Sequence, residues 1–235
     1  MENNIIKLID AGHMDEAIAK APPALRDSML AIVKDTDAFK THYAADNGRK
    51  PGQQITENWG ADVRQWAAFE QLRKLNGNVL LDIGCADGSF CQLCLTNNVV
   101  RNVIGVDLWK NGIEWAKNNI KGDFHFGMFE ELTILPDYDV VHIGEVLEHV
   151  IDPVEVLAKV YHPQLKGIVV TVPIKAPPMG EEEALNVLNG KPLEHVRIIT
   201  KDLLTTYAHK TRYRIANSRE VTMGWVNLVA TLIPL

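Results

Sequence analysis

The stretch VLLDIGCADGSF, residues 79–90, contains an apolar run, a turn with two glycines and the beginning of an apolar helix. Residues 79–83 have the composition of a buried β-strand, and residues 89–96 have that of a helix. Gly84 and Gly88 in the turn allow the backbone to approach a ligand where a Cβ atom would collide. The N–H groups at the start of the helix are free to bind the same ligand, so the stretch predicts a small-ligand cradle.

The acidic residues around this turn indicate the charge of the ligand. Glycine-rich strand-to-helix turns also occur in dinucleotide and phosphate sites. Asp82 and Asp87 would repel a pyrophosphate, but they suit a cationic ligand such as a sulfonium amino acid with its ammonium group. Asp107 ends the second apolar run, in GVDLW, where an acid can accept both hydroxyl groups of a ribose. Leu108 or Trp109 would then lie against the face of an adenine.

From residue 79 onward, short β-rich runs alternate with helical segments, which predicts a mainly parallel sheet covered on both faces. The last two runs are joined by a short connection, residues 217–224, without a helix, so they predict an antiparallel hairpin. The predicted strands are 79–83, 103–106, 124–126, 138–143, 168–172, 213–216 and 225–233. We therefore predict a doubly wound α/β fold with a seven-stranded, mainly parallel sheet, a C-terminal antiparallel hairpin and an N-terminal helical extension.

The part of the chain before the cradle has apolar residues at helical spacing. The predicted elements there are helices within 3–20, 25–33, 38–45 and 62–75 and a polar loop at 47–54. We expect two units: a helical N-terminal extension or lid, residues 1–58, and a ligand-binding domain, residues 59–235.

The composition argues against several classes of protein. A formal net charge of −6 does not suit a protein that coats nucleic acid or an anionic membrane. Three cysteines among 235 residues do not suggest a disulfide framework, which favours a cytoplasmic location. The longest apolar run, residues 225–235, is shorter than the roughly 20 residues that a membrane helix needs. We expect no secretory signal and no membrane partner.

Three motifs, LDIGCADGSF, GVDLW and DYDVVHIGEVLEHVIDPVEVL, resemble in sequence and order those of the class I S-adenosylmethionine (SAM)-dependent methyltransferases. The resemblance extends over about residues 79–234. It implies that the chain is an enzyme of this kind with SAM as its cofactor.

The resemblance also implies which residues bind the cofactor. The residues that surround the methionine moiety in the family match Asp82, Gly84, Cys85, Ala86 and Gly88. The residue that matches Asp107 holds the ribose. Residues 127–130, GMFE, match the loop that contacts adenine, but Met128 stands where the family commonly has an acid. We therefore expect backbone and apolar contacts from Met128 and Phe129, and Gly144, after the fourth strand, completes the predicted site.

Candidate catalytic residues follow the fourth strand, where Glu145, Glu148 and His149 lie, and His195 follows the fifth. One hypothesis is that VLEHVIDP is architectural, because it occurs in family members with unrelated substrates. A second is a Mg, Mn or Zn site, since these four residues resemble the E-x-x-E-H...H arrangement of small-RNA 3′-terminal 2′-O-methyltransferases. A third makes His149 or His195 a general base. We name His149, Glu145 and His195 as catalytic candidates and predict no tightly bound metal.

The acceptor is less well defined by the sequence. Between residues 191 and 219 there are seven basic residues and two acids, which indicates a solvated face or an anionic acceptor. The connection at residues 175–192 has the length of a lid or binding loop. We expect an O- or N-methyltransferase for a small or medium-sized acceptor. RNA-end methylation with a metal and a SAM-binding module without catalysis are the alternatives, and no oligomeric state is predicted.

Overall fold

The computed structural model describes residues 14–23, 26–27, 29–30, 40–41, 43–45, 50–52, 63–133, 137–150, 152–175, 197–223 and 225–235. Within these ranges there are six helices and seven strands. The helices are α1 (Met14–Lys20), α2 (Val63–Leu75), α3 (Ser89–Thr96), α4 (Lys110–Asn119), α5 (Pro153–Lys159) and α6 (Lys201–Lys210). The strands are β1 (Val79–Ile83), β2 (Asn102–Asp107), β3 (Asp123–Phe126), β4 (Val140–Gly144), β5 (Gly167–Lys175), β6 (Tyr213–Met223) and β7 (Trp225–Pro234).

All seven strands form one sheet in the order β3-β2-β1-β4-β5-β7-β6. The first five strands pair in parallel, and β7 pairs antiparallel with both β5 and β6. This confirms the predicted fold. The strand order reverses next to β1, because β2 and β3 lie on one side of it and β4 to β7 on the other. In open α/β sheets, ligands bind in the crevice at such a reversal, outside the carboxyl ends of the strands.

Apolar clusters lie on both faces of the sheet. Leu81 and Ile83 of β1 belong to a cluster that includes residues of α5 and α6. Leu80 of β1 faces the opposite way, into a cluster with residues of α2, α3 and α4. Because side chains alternate along a strand, Asp82 lies on the same face as Leu80, and it is fully buried. The fold therefore encloses one carboxylate beneath the turn that follows β1.

Helix α6 was not among the elements predicted from the sequence. It begins after Thr200, whose hydroxyl accepts a hydrogen bond from the Leu203 N–H group. Leu204 and Ala208 of this helix are buried. A capping threonine before apolar residues at helical spacing was the available signal.

The predicted connection at residues 217–224 is wrong for most of its length. Strand β6 continues to Met223, and within the predicted connection its residues pair with β7 from Asn217 opposite Thr231 to Met223 opposite Trp225. Strand β6 is the outermost strand of the sheet. Its polar residues, such as Arg219 and Glu220, are exposed. An edge strand keeps polar side chains in solvent, so its composition resembles that of a loop.

Described parts of the N-terminal 58 residues lie against the domain. Gly52 has a φ of +79°, and a Cβ atom on it would lie 2.7 Å from Cζ2 of Trp115. Lys40 Nζ lies 2.6 Å from Glu131 Oε1. Helix α1 agrees with the predicted helical region, whereas residues 3–13 lie outside the described ranges. No helix in the described part of the chain is long and apolar enough to cross a membrane.

Candidate functional site

A cavity of about 270 Å³ opens at the carboxyl ends of β1, β2 and β4. Nine of the ten predicted cofactor-binding residues line it. They are Asp82, Gly84, Cys85, Ala86, Asp107, Leu108, Met128, Phe129 and Gly144. The tenth, Gly88, is the N-cap of α3, and a Cβ atom there would lie 2.8 Å from Cδ1 of Ile120. Gly88 therefore allows α3 to pack closely on its neighbours.

Asp87 also lies behind the turn and not in the cavity wall. Its Oδ1 atom accepts hydrogen bonds from the Ser89 N–H group and hydroxyl, and Oδ2 accepts one from the Gly52 N–H group at 2.9 Å. The side chain is buried. Our prediction that Asp87 faces a cationic ligand is thus replaced by a structural role, in which it accepts a hydrogen bond from the first residue of α3 and one from the N-terminal extension.

The turn after β1 approaches the end of β4 so closely that residue 84 has no space for a side chain. Gly84 has a φ of +80°, and a Cβ atom would lie 2.4 Å from Val146 Cγ2 and 2.8 Å from the Gly144 carbonyl oxygen. Two nonglycine residues of the cavity wall, Ala86 and Glu145, also have positive φ values of 51° and 54°. Strained backbone of this kind concentrates at ligand sites.

Asp107 joins the ends of β1 and β2. Its Oδ2 atom accepts a hydrogen bond from the Ala86 N–H group at 2.8 Å, and Oδ1 accepts one from the Trp109 N–H group at 2.6 Å. A carboxylate has about four acceptor positions in total. Because Asp107 also lines the cavity, the hydroxyl groups of a ribose are suitable ligands for it.

A buried aspartate–histidine pair lies beneath the turn. Asp82 and His142 are opposite each other on β1 and β4, with Asp82 Oδ1 at 2.7 Å from His142 Nδ1. The thiol of Cys91 donates to Asp82 Oδ2 at 3.3 Å. Burial, and then the nearby Asp82 charge, raise the pKa of the Cys91 thiol well above its usual value, so it keeps the proton that it donates. Phe90 packs on the imidazole with ring centroids 4.1 Å apart.

Glu145 faces the cavity in an ion pair that the sequence did not indicate. Its Oε2 atom lies 2.7 Å from Nη1 of Arg64, in the first turn of α2. The other oxygen, Oε1, is buried and has no hydrogen-bond partner within the described ranges. Both residues line the cavity, so the beginning of α2 is part of the site.

His149 lies between a residue of the N-terminal extension and its own neighbour in the chain. Its Nδ1 atom is 2.8 Å from the Tyr43 hydroxyl, and Nε2 is 3.7 Å from Oε1 of Glu148, which is buried. A proton on Nε2 would face this carboxylate and would leave Nδ1 as the acceptor. Tyr43 and His149 both line the cavity. The two rings meet edge to face with centroids 5.2 Å apart.

The four residues considered as metal ligands are only partly placed. His195 lies outside the described ranges. Among the residues that are described, no three His, Cys, Asp or Glu side chains are grouped so that they could hold a metal ion. Glu145 instead pairs with Arg64.

The loop after β3 is held in place by a lysine of α5. Lys159 Nζ donates to the carbonyl oxygens of Phe129, Glu130 and Leu132 at 2.6, 2.6 and 2.9 Å. It also lies 5.0 Å from the centre of the Phe129 ring. Burial raises the pKa of the Glu130 carboxyl, which lines the cavity beside Met128. Lys159 thus positions the loop that was predicted to contact adenine.

The basic residues of the C-terminal part do not reach the cavity where they are described. Arg197 is buried and donates to the Val150 carbonyl oxygen. Arg212, Arg214 and Arg219 are exposed. Within the described ranges, Arg64 is the one Lys or Arg residue that lines the cavity.

Comparison with known proteins agrees with this geometry. A family model described as a methyltransferase domain matches residues 59–211. No curated protein matches the chain. Among solved structures, magnesium protoporphyrin IX methyltransferase from Synechocystis with bound S-adenosylhomocysteine (SAH) is similar, with a TM-score of 0.57 and 14% identity. The similarity covers 73% of this chain and 83% of that one.

Two further structures have the same fold. A SAM-dependent methyltransferase from Clostridium acetobutylicum has a TM-score of 0.56 and 13% identity, over 74% of this chain and 93% of that one. A tRNA methyltransferase from B. subtilis has a TM-score of 0.52 and 13% identity, over 72% of this chain and 65% of that one. Since the family model matches more than half of the sequence, the chain belongs to the methyltransferase-domain family and is a SAM-dependent methyltransferase.

Proposed function

We propose that the chain methylates an oxygen or nitrogen atom of a small or medium-sized acceptor. The observation that supports this most is that the N-terminal extension contributes to the cavity wall. Tyr43 of the extension lines the cavity, together with the beginning of α2 and the turn after β1. Small-molecule sites are concave pockets of this kind, with a few polar groups that converge on the ligand. A covered cavity favours a small acceptor over the surface of a macromolecule.

The residues of the cavity fit SAM. Gly84 allows close approach to the turn, Asp82 places negative charge near a cationic ligand, and Asp107 is suited to a ribose. Met128 and Phe129 provide apolar surface for adenine. When bound, the cofactor would supply an electrophilic methyl group on positively charged sulfur. The task of the chain is then to hold the acceptor in a productive orientation.

His149 is the proposed general base. When the hydroxyl or amine of the acceptor takes the place of the Tyr43 hydroxyl at Nδ1, this atom receives the proton that the acceptor loses. The buried Glu148 beside Nε2 stabilises the resulting imidazolium. Glu145 and Arg64 offer a carboxylate and a guanidinium that orient a polar acceptor. His195 remains a catalytic candidate from the sequence.

The N-terminal extension, residues 1–58, is proposed to act as a lid on the domain formed by residues 59–235. Three contacts support this: Tyr43 with His149, Gly52 with Asp87 and Lys40 with Glu131. The first of them lies in the cavity wall, so movement of the extension would change access to the site.

Screening acceptors with methyl-labelled SAM tests the proposal. With an acceptor in hand, His149→Gln should lower kcat by about 10² to 10⁴, the usual contribution of a general base. SAH affinity should remain close to that of the wild type. His209→Gln, at an exposed position on α6, is the matched control. Full turnover by His149→Gln would contradict the role of His149.

Chelation separates the proposal from metal-assisted methylation of an RNA end. We expect turnover on the small acceptor to survive treatment with a chelator. Loss of turnover on chelation, with recovery on addition of Mg²⁺, Mn²⁺ or Zn²⁺ and transfer to an RNA 3′ end, would favour the alternative.

A further inference from the structure

We infer that His142 is an additional cofactor-binding residue, whose Nε2 atom accepts a hydrogen bond from the ammonium group of the cofactor's methionine moiety. The inference rests on the proposed placement of SAM in the cavity. His142 lies within an apolar run, and its sequence position alone suggests a core residue.

His142 combines burial with an open hydrogen-bonding position. Its relative exposure is 5%, yet it lines the cavity. The Nε2 atom is buried and has no hydrogen-bond partner in the part of the chain that the structure describes. The ring edge with Cε1 and Nε2 runs beside Gly144, where a Cβ atom would lie 2.6 Å and 3.2 Å from these two atoms. A buried polar atom of this kind is costly unless a ligand satisfies it.

The partner of Nδ1 determines what Nε2 can bind. An ionised carboxylate only accepts hydrogen bonds, so the contact between Asp82 and His142 places a proton on Nδ1. In the neutral ring, Nε2 then carries a lone pair and requires a donor. The hydrogen bond to a carboxylate also makes Nε2 a stronger acceptor.

The charge around Asp82 favours a cationic donor. Within the described ranges, the groups that donate to its carboxylate are the imidazole of His142 and the thiol of Cys91. Neither carries a positive charge when the imidazole is neutral. No Lys or Arg of the described ranges forms an ion pair with Asp82. An ammonium group of the ligand that donates to Nε2 would lie across the imidazole from Asp82, and its positive charge would compensate the buried negative charge of that carboxylate.

The position of His142 in the sheet identifies which end of the cofactor it would meet. SAM has donors in its ammonium group, its ribose hydroxyls and its adenine amino group. Asp107, which suits the ribose, ends β2, whereas His142 lies on β4, and β1 separates the two strands. Neighbouring strands are about 4.8 Å apart, so these residues are roughly 10 Å apart across the sheet. The amino-acid end of the cofactor therefore lies nearer to His142.

The test compares ligands that differ only in the amino-acid end. Calorimetry would measure the affinity of wild type, His142→Phe and His142→Gln for three ligands: SAH, the SAH analogue without its amino group, and methylthioadenosine. We expect His142→Phe to bind SAH at least about tenfold more weakly, while its affinity for the other two ligands stays within about twofold of wild type. His142→Gln should retain part of the SAH affinity, because its amide oxygen can accept.

His162→Phe is the matched control. His162 is also a buried histidine whose Nε2 atom has no partner within the described ranges, but it packs on Tyr138 away from the cavity. This variant should lose stability without losing SAH affinity. Equal losses of His142→Phe for all three ligands, or no loss, would overturn the inference. If the wild type itself fails to bind SAH, the proposed cofactor site is wrong instead.

Nitrogen NMR on the wild-type chain gives a second readout that does not depend on the folding of a variant. The Nε2 signal of His142 should be that of an unprotonated nitrogen in the free protein. It should shift on addition of SAH and remain in place with methylthioadenosine. A protonated Nε2 in the free protein, or the same shift with both ligands, would overturn the assignment.

Discussion

Replacing Gly84 with alanine would test whether the close contact between the β1 turn and the end of β4 builds the cofactor site. At a φ of +80°, a side chain costs about 1 to 2 kcal/mol. The new Cβ atom would also lie 2.4 Å from Val146 Cγ2 and 2.8 Å from the Gly144 carbonyl oxygen. The valine can rotate, but the carbonyl can move only with β4. Overpacking of this kind costs about 1 to 3 kcal/mol, so we expect a total destabilisation of about 2 to 5 kcal/mol.

Denaturant unfolding would measure this stability, and calorimetry with SAH would measure binding. We expect an affinity loss of at least about tenfold, because movement of Gly144 deforms the cavity wall. Gly127→Ala is the matched control, since Gly127 also lines the cavity and has a positive φ of +146°. Its nearest neighbour would be the flexible side chain of Leu132, at 3.2 Å. Wild-type stability and affinity in Gly84→Ala, or equal losses in the two variants, would refute the reasoning.

Three further predictions concern the cofactor, the extension and the fold. Asp107→Ala should weaken SAH binding by about 1 to 3 kcal/mol in calorimetry, and heat from NAD with none from SAM would refute the assignment of the cofactor. Deletion of residues 1–58 should lower SAH affinity, and an unchanged affinity would mean that the extension is no lid. Burial raises the pKa of Asp139, but hydrogen bonds from the Val79 N–H group and Lys166 outweigh burial and lower it overall. The ionised Asp139 carboxylate therefore stabilises the fold above the unfolded-state pKa, and this stabilisation is lost as pH falls through the folded-state pKa. Asp139→Asn should lower the free energy of unfolding, measured in urea, by about 1 to 3 kcal/mol at pH 7 and by little in acid.

Much of the fold could be predicted because its signals are local. The bounds of β1 and α3 agree with the prediction, since an apolar run, a glycine turn and a second apolar run lie within eighteen residues. Strand β6 could not be predicted over its full length. Its polar residues are compatible with a strand only at the edge of the sheet, and edge position depends on how the other six strands assemble.

The site could be predicted where its residues lie at strand ends, because the carboxyl ends of parallel strands share one edge of the sheet. Asp107 and Glu145, which were predicted in this way, both line the cavity. His142 and Arg64 were not predicted, because their places in the cavity wall depend on contacts between distant parts of the chain. His142 is 60 residues from Asp82 in sequence. Nothing local distinguishes it from a core residue of β4, and Arg64 resembles any exposed charge at the start of a helix.

The insertion of β7 between β5 and β6 has a consequence for how the chain is made. Strand β7 follows the other six along the chain, yet among the described strands β6 pairs with β7 alone. During synthesis, the parallel strands and the cradle can therefore assemble while β5 still has an unpaired edge. An unpaired edge is a template for pairing with other chains. Resistance to aggregation in the newly made protein would then depend on Trp225–Pro234, a segment whose described side chains, residues 226–234, take no part in the walls of the cavity.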